Sequence, residues 1–159
     1  MSVIRVVWGT ASAPTAMASY DAALAEAGIE NYNLVAVSSV VPADTAVEAV
    51  GTAPDLGPAG DRLTVVEARA TTAGPGRVSA GLGWSQSADD GPGIFYEAAG
   101  ETDSEDVETR VREGLAAGQE LREWEFADPR VHVESAQANT GTYTTAVVLA
   151  VYGTSEPIC

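Results

Sequence analysis

The sequence predicts an α+β sandwich built from mostly antiparallel sheets. Three observations carry that expectation. Most apolar segments have the length and alternation of strands rather than helices. Only two segments show helical spacing, and a block of strands separates them. Glycine- and proline-containing turns divide the central strands from one another.

Taken in order, residues 2–8 alternate and read as a first strand. Residues 15–27 read as a helix with Met17, Tyr20, Leu24 and Ala27 on one face and Gly28 as its stop. Residues 34–40 form a second apolar run, expected to be a buried strand broken by Pro42. The stretch from Pro42 to Asp61 has prolines at 42, 54 and 58 and is expected to be a long functional or lid-like loop. Strands are expected at 62–71, 77–86 and 92–99. Thr102-Asp103-Ser104-Glu105 resembles a capping box opening a helix over about 103–121, with Val107, Val111, Leu115, Gly118 and Leu121 inward. Two strands, 130–137 and 142–152, close the chain. No repeat and no second domain is visible, so residues 1–159 are expected to form a single domain.

Composition narrows the function. The formal charge is −15, and all eight basic residues are arginine; there is no lysine. A salt-adapted source explains the acidic excess, which a genome poor in lysine codons does not. No basic patch is present, so nucleic acid and anionic membranes are not expected partners. No apolar stretch is long enough to span a membrane. A single cysteine, Cys159, rules out an internal disulfide, and a cytoplasmic location is expected. Without lysine, neither pyridoxal-phosphate nor Schiff-base aldolase chemistry can run. A chain that acts on amines through a carbonyl must then make that carbonyl itself.

The pair Ser38-Ser39 ends the apolar run before Pro42. Hydroxyls buried at a strand end are costly without partners or a task. The task expected here is self-cleavage between the two serines, turning Ser39 into a pyruvoyl group. Asn31 and Asn33 lie just upstream. They are either turn residues or the source of an amide that steadies the Ser38 carbonyl as charge develops on it. Asp21 shares a helical face with Met17 and Leu24. It is either paired with Arg62 or Arg69, or solvated at a rim, or placed to receive a substrate's cationic group. Glu97, in Gly93-Ile94-Phe95-Tyr96-Glu97-Ala98-Ala99, is either an outward strand residue or a buried acid kept protonated by desolvation. His132 has no second histidine or cysteine beside it, so no metal site is expected. Gly74-Pro75-Gly76 and Gly91-Pro92-Gly93 match no phosphate loop.

Together these segments resemble the pyruvoyl-dependent arginine decarboxylases. The resemblance is carried by the block from Tyr20-Asp21 through Asn31-Tyr32-Asn33 and Ser38-Ser39 to Pro42. Gly93 to Glu97, the helix from Asp103 and Arg122-Glu123-Trp124-Glu125 add to it. It implies a four-layer αββα sandwich and a homotrimer with active sites between subunits, with a dimer of trimers as the larger option. It implies cleavage into 1–38 and 39–159, a pyruvoyl cofactor derived from Ser39, and L-arginine as substrate, yielding agmatine for polyamine biosynthesis. Glu97 then matches the proton donor and Asn33 the residue assisting cleavage. Asp21 matches the carboxylate receiving the guanidinium, with Met17, Leu24, Ser38 and Val40 around the substrate. Three other readings stand beside this one. The first is a pyruvoyl decarboxylase for another cationic amino acid. The second is an uncleaved, non-catalytic subunit that binds ligand or a partner. The third is a salt-adapted structural domain whose Ser38-Ser39 pair is accidental.

Overall fold

A computed structural model describes residues 2–159. The elements are β1 (Ser2–Ala13), α1 (Ala16–Ala27), β2 (Asn33–Ala36), β3 (Val40–Val41), β4 (Thr45–Gly51), β5 (Arg62–Ala73), β6 (Gly76–Gln86), β7 (Gly93–Gly100), α2 (Ser104–Glu120), β8 (Arg130–Ala138) and β9 (Tyr143–Tyr152). One sheet runs β2-β5-β9-β1-β4 and the other β3-β7-β6-β8. Pairing is antiparallel except for β1 with β4 and β2 with β5. The expected α+β sandwich is what the chain forms.

Strand alternation gives each sheet two apolar faces. Ile4, Val6, Val66, Val78, Leu82, Phe95 and Val148 meet between the sheets. Val7, Leu63, Val65, Val147 and Leu149 face outward and are covered by Ala23, Leu24 and Ala27 of α1. Val107, Val111 and Leu115 of α2 cover Ile94 and Ala98 on the other sheet. These three cores make four layers, helix–sheet–sheet–helix.

Small residues set both helix–sheet distances. A β-carbon at Gly9 would collide with the Ala23 carbonyl, and one at Gly83 would lie 2.5 Å from Val111 Cγ1 and 2.7 Å from Leu115 Cδ1. The buried stripe of α1 is therefore Ser19, Ala23, Leu24 and Ala27 rather than the expected Met17–Tyr20–Leu24–Ala27 face. Met17 is 73% exposed. Ser19 is buried because its hydroxyl meets that of Thr145 at 2.7 Å, which in turn meets Thr71 at 2.6 Å. Gly28 stops α1 as expected, with φ at 81° in the left-handed region.

Four expectations need correction. The stretch from Pro42 to Asp61 is not all loop: Thr45–Gly51 is a strand beside β1, and its flanking prolines lie outside the ladder. The 34–40 run is not one buried strand. It divides into β2 and β3, which belong to different sheets, and Val35, Val37 and Val40 are exposed. The α2 cap is Asp103, whose carboxylate accepts the Asp106 N–H at 2.9 Å, not Thr102. Leu121 does not face inward; it sits at the helix end, 83% exposed. No helix among the described residues is long and apolar enough to cross a membrane.

Candidate active site

Ser38 and Ser39 sit where the chain leaves one sheet for the other. Val37 N–H donates to Val65 O at 3.0 Å, the last rung with the five-stranded sheet. Val40 and Val41 then pair with Ile94 and Gly93 in the other. Between them the chain makes a tight turn centred on Ser39, closed by Val40 N–H donating to Ser38 O at 3.0 Å. The Ser38 carbonyl thus already holds one backbone donor. The Ser39 carbonyl accepts Phe95 N–H at 2.8 Å, and the Val40 carbonyl accepts the Tyr152 hydroxyl at 2.8 Å.

The Ser39 hydroxyl donates to Glu97 Oε2 at 3.4 Å, across 58 residues of sequence. β3 pairs only with the first two residues of β7, so Glu97 lies on an open sheet edge. It is exposed, contrary to the expectation that its neighbours would bury it. Tyr152 closes the group. Burial, with the Glu97 charge adding to it, pushes its phenol up to about 12. Beside Ser39 opens a cavity of about 400 Å³, walled by Val40, Ile94, Leu121 and the small faces of Gly114 and Gly118. Arg122 is the charged residue on its lining; it donates to Gly118 O at 2.8 Å and lies over Trp124.

The other expected residues lie apart within one chain. Asn33 is committed elsewhere: its side-chain amide donates to Gly60 O at 2.8 Å. Four residues, Leu34 to Val37, lie between it and Ser38. Leu24 is buried in the core under α1, not in a pocket wall. Met17 lines a separate hollow with Tyr20 and Arg69. Asp21 is exposed on α1 and makes no ion pair among the described residues. Its expected partners are engaged otherwise: Arg62 with Glu156 at 2.8 Å, and Arg69 with Glu67 at 3.9 Å and over the Tyr20 ring. His132 stacks on Trp8 at 3.6 Å and pairs with Glu134, and no metal-binding cluster occurs among the described residues. Tyr152 was invisible to sequence reasoning, which read it only as the end of a strand.

Comparison with known proteins decides the family. The model of the pyruvoyl-dependent arginine decarboxylase family matches residues 3–157. The chain belongs to that family. A pyruvoyl-dependent arginine decarboxylase of Halobacterium salinarum is 56% identical over 158 residues, covering 99% of this chain and 98% of that protein. Those of Pyrococcus abyssi and Thermococcus kodakarensis are 35% and 36% identical, covering 86% and 77% of this chain and 85% and 76% of theirs.

Members of this family depend on a covalent pyruvoyl group. The surroundings of Ser39 fit one. Its side chain faces a carboxylate, its carbonyl is held by a backbone donor, and it borders open space rather than packed core. A lysine-free chain also has no side chain to hold pyridoxal phosphate as an imine.

Proposed function

We propose that this protein decarboxylates L-arginine to agmatine and carbon dioxide, a step of polyamine biosynthesis, after cutting itself between Ser38 and Ser39. The observation that carries the reading is the meeting of Ser39 and Glu97 at the crossing between sheets.

Cleavage begins when the Ser39 hydroxyl attacks the Ser38 carbonyl carbon. The Ser38–Ser39 amide bond breaks, an ester forms, and the residue 39 amine is freed. The Val40 N–H already on the Ser38 oxygen supports the charge that develops there. Loss of the residue 39 α-proton and of the Ser38 carboxylate leaves a dehydroalanine. Water then releases ammonia and leaves the ketone. The products are fragments 1–38 and 39–159 of one domain.

In turnover, a pyruvoyl group held at residue 39 would supply the electron-accepting carbonyl for the substrate amine. Glu97 delivers a proton to the α-carbon after carbon dioxide departs. Val40 and Ser38 flank the substrate. Asp21 receives the guanidinium, with Met17 beside it. Because Asp21, Met17 and Asn33 lie away from Ser39 in their own chain, they serve the Ser39 site of a neighbouring copy. The exposed apolar side chains of Val35 in β2 and Val37 just beyond it support an interface there. A trimer, alone or paired, satisfies this sharing. The acidic, lysine-free surface suits a salt-rich cytoplasm, and the one cysteine is free.

Two measurements test the reading: the intact mass of the denatured protein and release of labelled carbon dioxide from arginine. A chain that stays whole, or a cut chain inert to arginine, would refute it. Lysine and ornithine tried alongside separate arginine from other cationic substrates.

A further inference from the structure

We propose that Tyr152 is a positioning residue that holds residue 39 in place after the chain is cut, a role that rests on the cleavage reading above. In the uncut chain residue 39 is restrained from both sides. Val37 N–H on Val65 O ties the preceding segment to the five-stranded sheet, and Val40 N–H on Ser38 O closes the turn. Cleavage removes the upstream restraint and makes residue 39 a chain end. Chain ends fray unless tied down.

Little is left to tie it. β3 is two residues long, and the Ser39 carbonyl is held by Phe95 N–H. Beyond that bond and the short β3–β7 ladder, the hold is the Tyr152 hydroxyl on the Val40 carbonyl at 2.8 Å. Among the described hydrogen bonds of Ser39 and Val40, it alone reaches from the opposite sheet. The ring is fixed edge-on against Phe95, 6.2 Å between centroids, so one tyrosine braces both the chain neighbour of residue 39 and the residue that holds its carbonyl. Tyr152 therefore registers the new chain end against Glu97, and it matters more after the cut than before it.

Tyr152→Phe removes the hydroxyl and keeps the ring. The test compares wild type with Tyr152→Phe, and Ser39→Ala with Ser39→Ala/Tyr152→Phe, the last two being unable to cut. Expected first is complete cleavage of Tyr152→Phe by intact mass. Hydrogen exchange over residues 40–41 then quickens about fivefold in the cut pair, the ~1 kcal/mol of one hydrogen bond, and by less than twofold in the uncut pair. kcat for arginine falls at least fivefold while KM stays within twofold. Equal exchange in the cut pair, or equal acceleration in both pairs, would overturn the proposal and leave Tyr152 an ordinary packing residue. Wild type that stays uncut would overturn the cleavage reading together with it, and the mass spectrum separates that outcome from the others.

Discussion

Replacing Glu97 with glutamine should pull apart the two chemical events proposed at Ser39. The Ser39 hydroxyl reaches Glu97 Oε2 over 3.4 Å, at the long limit of a hydrogen bond, and the carboxylate is exposed. Such a contact orients the serine by no more than ~1 kcal/mol, and an amide oxygen still accepts it. Self-cleavage in Glu97→Gln should therefore slow by at most about fivefold. Proton delivery to carbon has no such substitute, because an amide does not act as an acid at neutral pH. General acids of this kind contribute about 10²–10⁴ in rate, so turnover should fall by about 10³. The gap between the two effects is on the order of 200-fold. Intact mass followed over time reads the first, and labelled carbon dioxide from fully cut protein reads the second. Wild-type turnover in the cut variant would remove Glu97 from the proton step. Equal losses in both assays would make it a residue that builds the site rather than one that reacts.

Asp21→Asn should raise KM for arginine about 10- to 100-fold, the loss of a charge-assisted contact, and leave cleavage intact. Co-expressing Asp21→Asn with Ser39→Ala should restore a low-KM component that neither variant shows alone; its absence would deny that subunits share sites. Gly83→Ala forces a methyl against Val111 and Leu115 and should cost about 2 kcal/mol, lowering Tm by about 6 °C in thermal unfolding. A Tm unchanged within a degree or so would show that α2 yields freely. Tyr20 and Tyr152 both have phenols raised from 10.0 to about 12, Tyr20 by burial first and then by its bond to Glu67. The folded state thus favours the protonated phenols. Their stabilisation is complete below pH 10 and is lost between pH 10 and about 12, where unfolded tyrosines ionise first. Denaturant midpoints should hold level up to pH 10 and decline across that window; a decline confined below pH 10 would contradict the assignment.

How far the sequence could be read depends on what each residue's signal was. The strands from Arg62 to Gly100 were legible because turns bound them on both sides. β4 was not, because Pro42, Pro54 and Pro58 surround Thr45–Gly51 and proline spacing says nothing about which edge is free. The face of α1 was misjudged because hydrophobicity favours Met17 over Ser19. The buried stripe was chosen instead by size and by a hydroxyl partner on Thr145. Ser38-Ser39 stood out as an anomaly in an apolar run, yet periodicity cannot say that the run changes sheets at that point. Glu97 was separable from an ordinary strand residue only through the family resemblance, since its partner lies 58 residues away. Tyr152 carried no local signal at all, because its importance arises from the crossing of two sheets.

The crossing also explains why a cut at this bond need not unfold the protein. The upstream piece, residues 1–38, contains β1, which lies between β9 and β4 and buries Ile4, Val6 and Val7. It also contains α1, which covers the outer face of that sheet, and β2, which pairs with β5. None of these contacts runs through the Ser38–Ser39 bond. The downstream end is held separately, by the short pairing of β3 with β7 in the other sheet and by the Tyr152 hydroxyl on the Val40 carbonyl. A cut inside a strand would leave both new ends competing for one ladder. A cut between strands of different sheets leaves each end with its own, so residue 38 can move with one layer while residue 39 stays beside Glu97 with the other. Breaking the bond at this crossing would therefore take apart neither sheet.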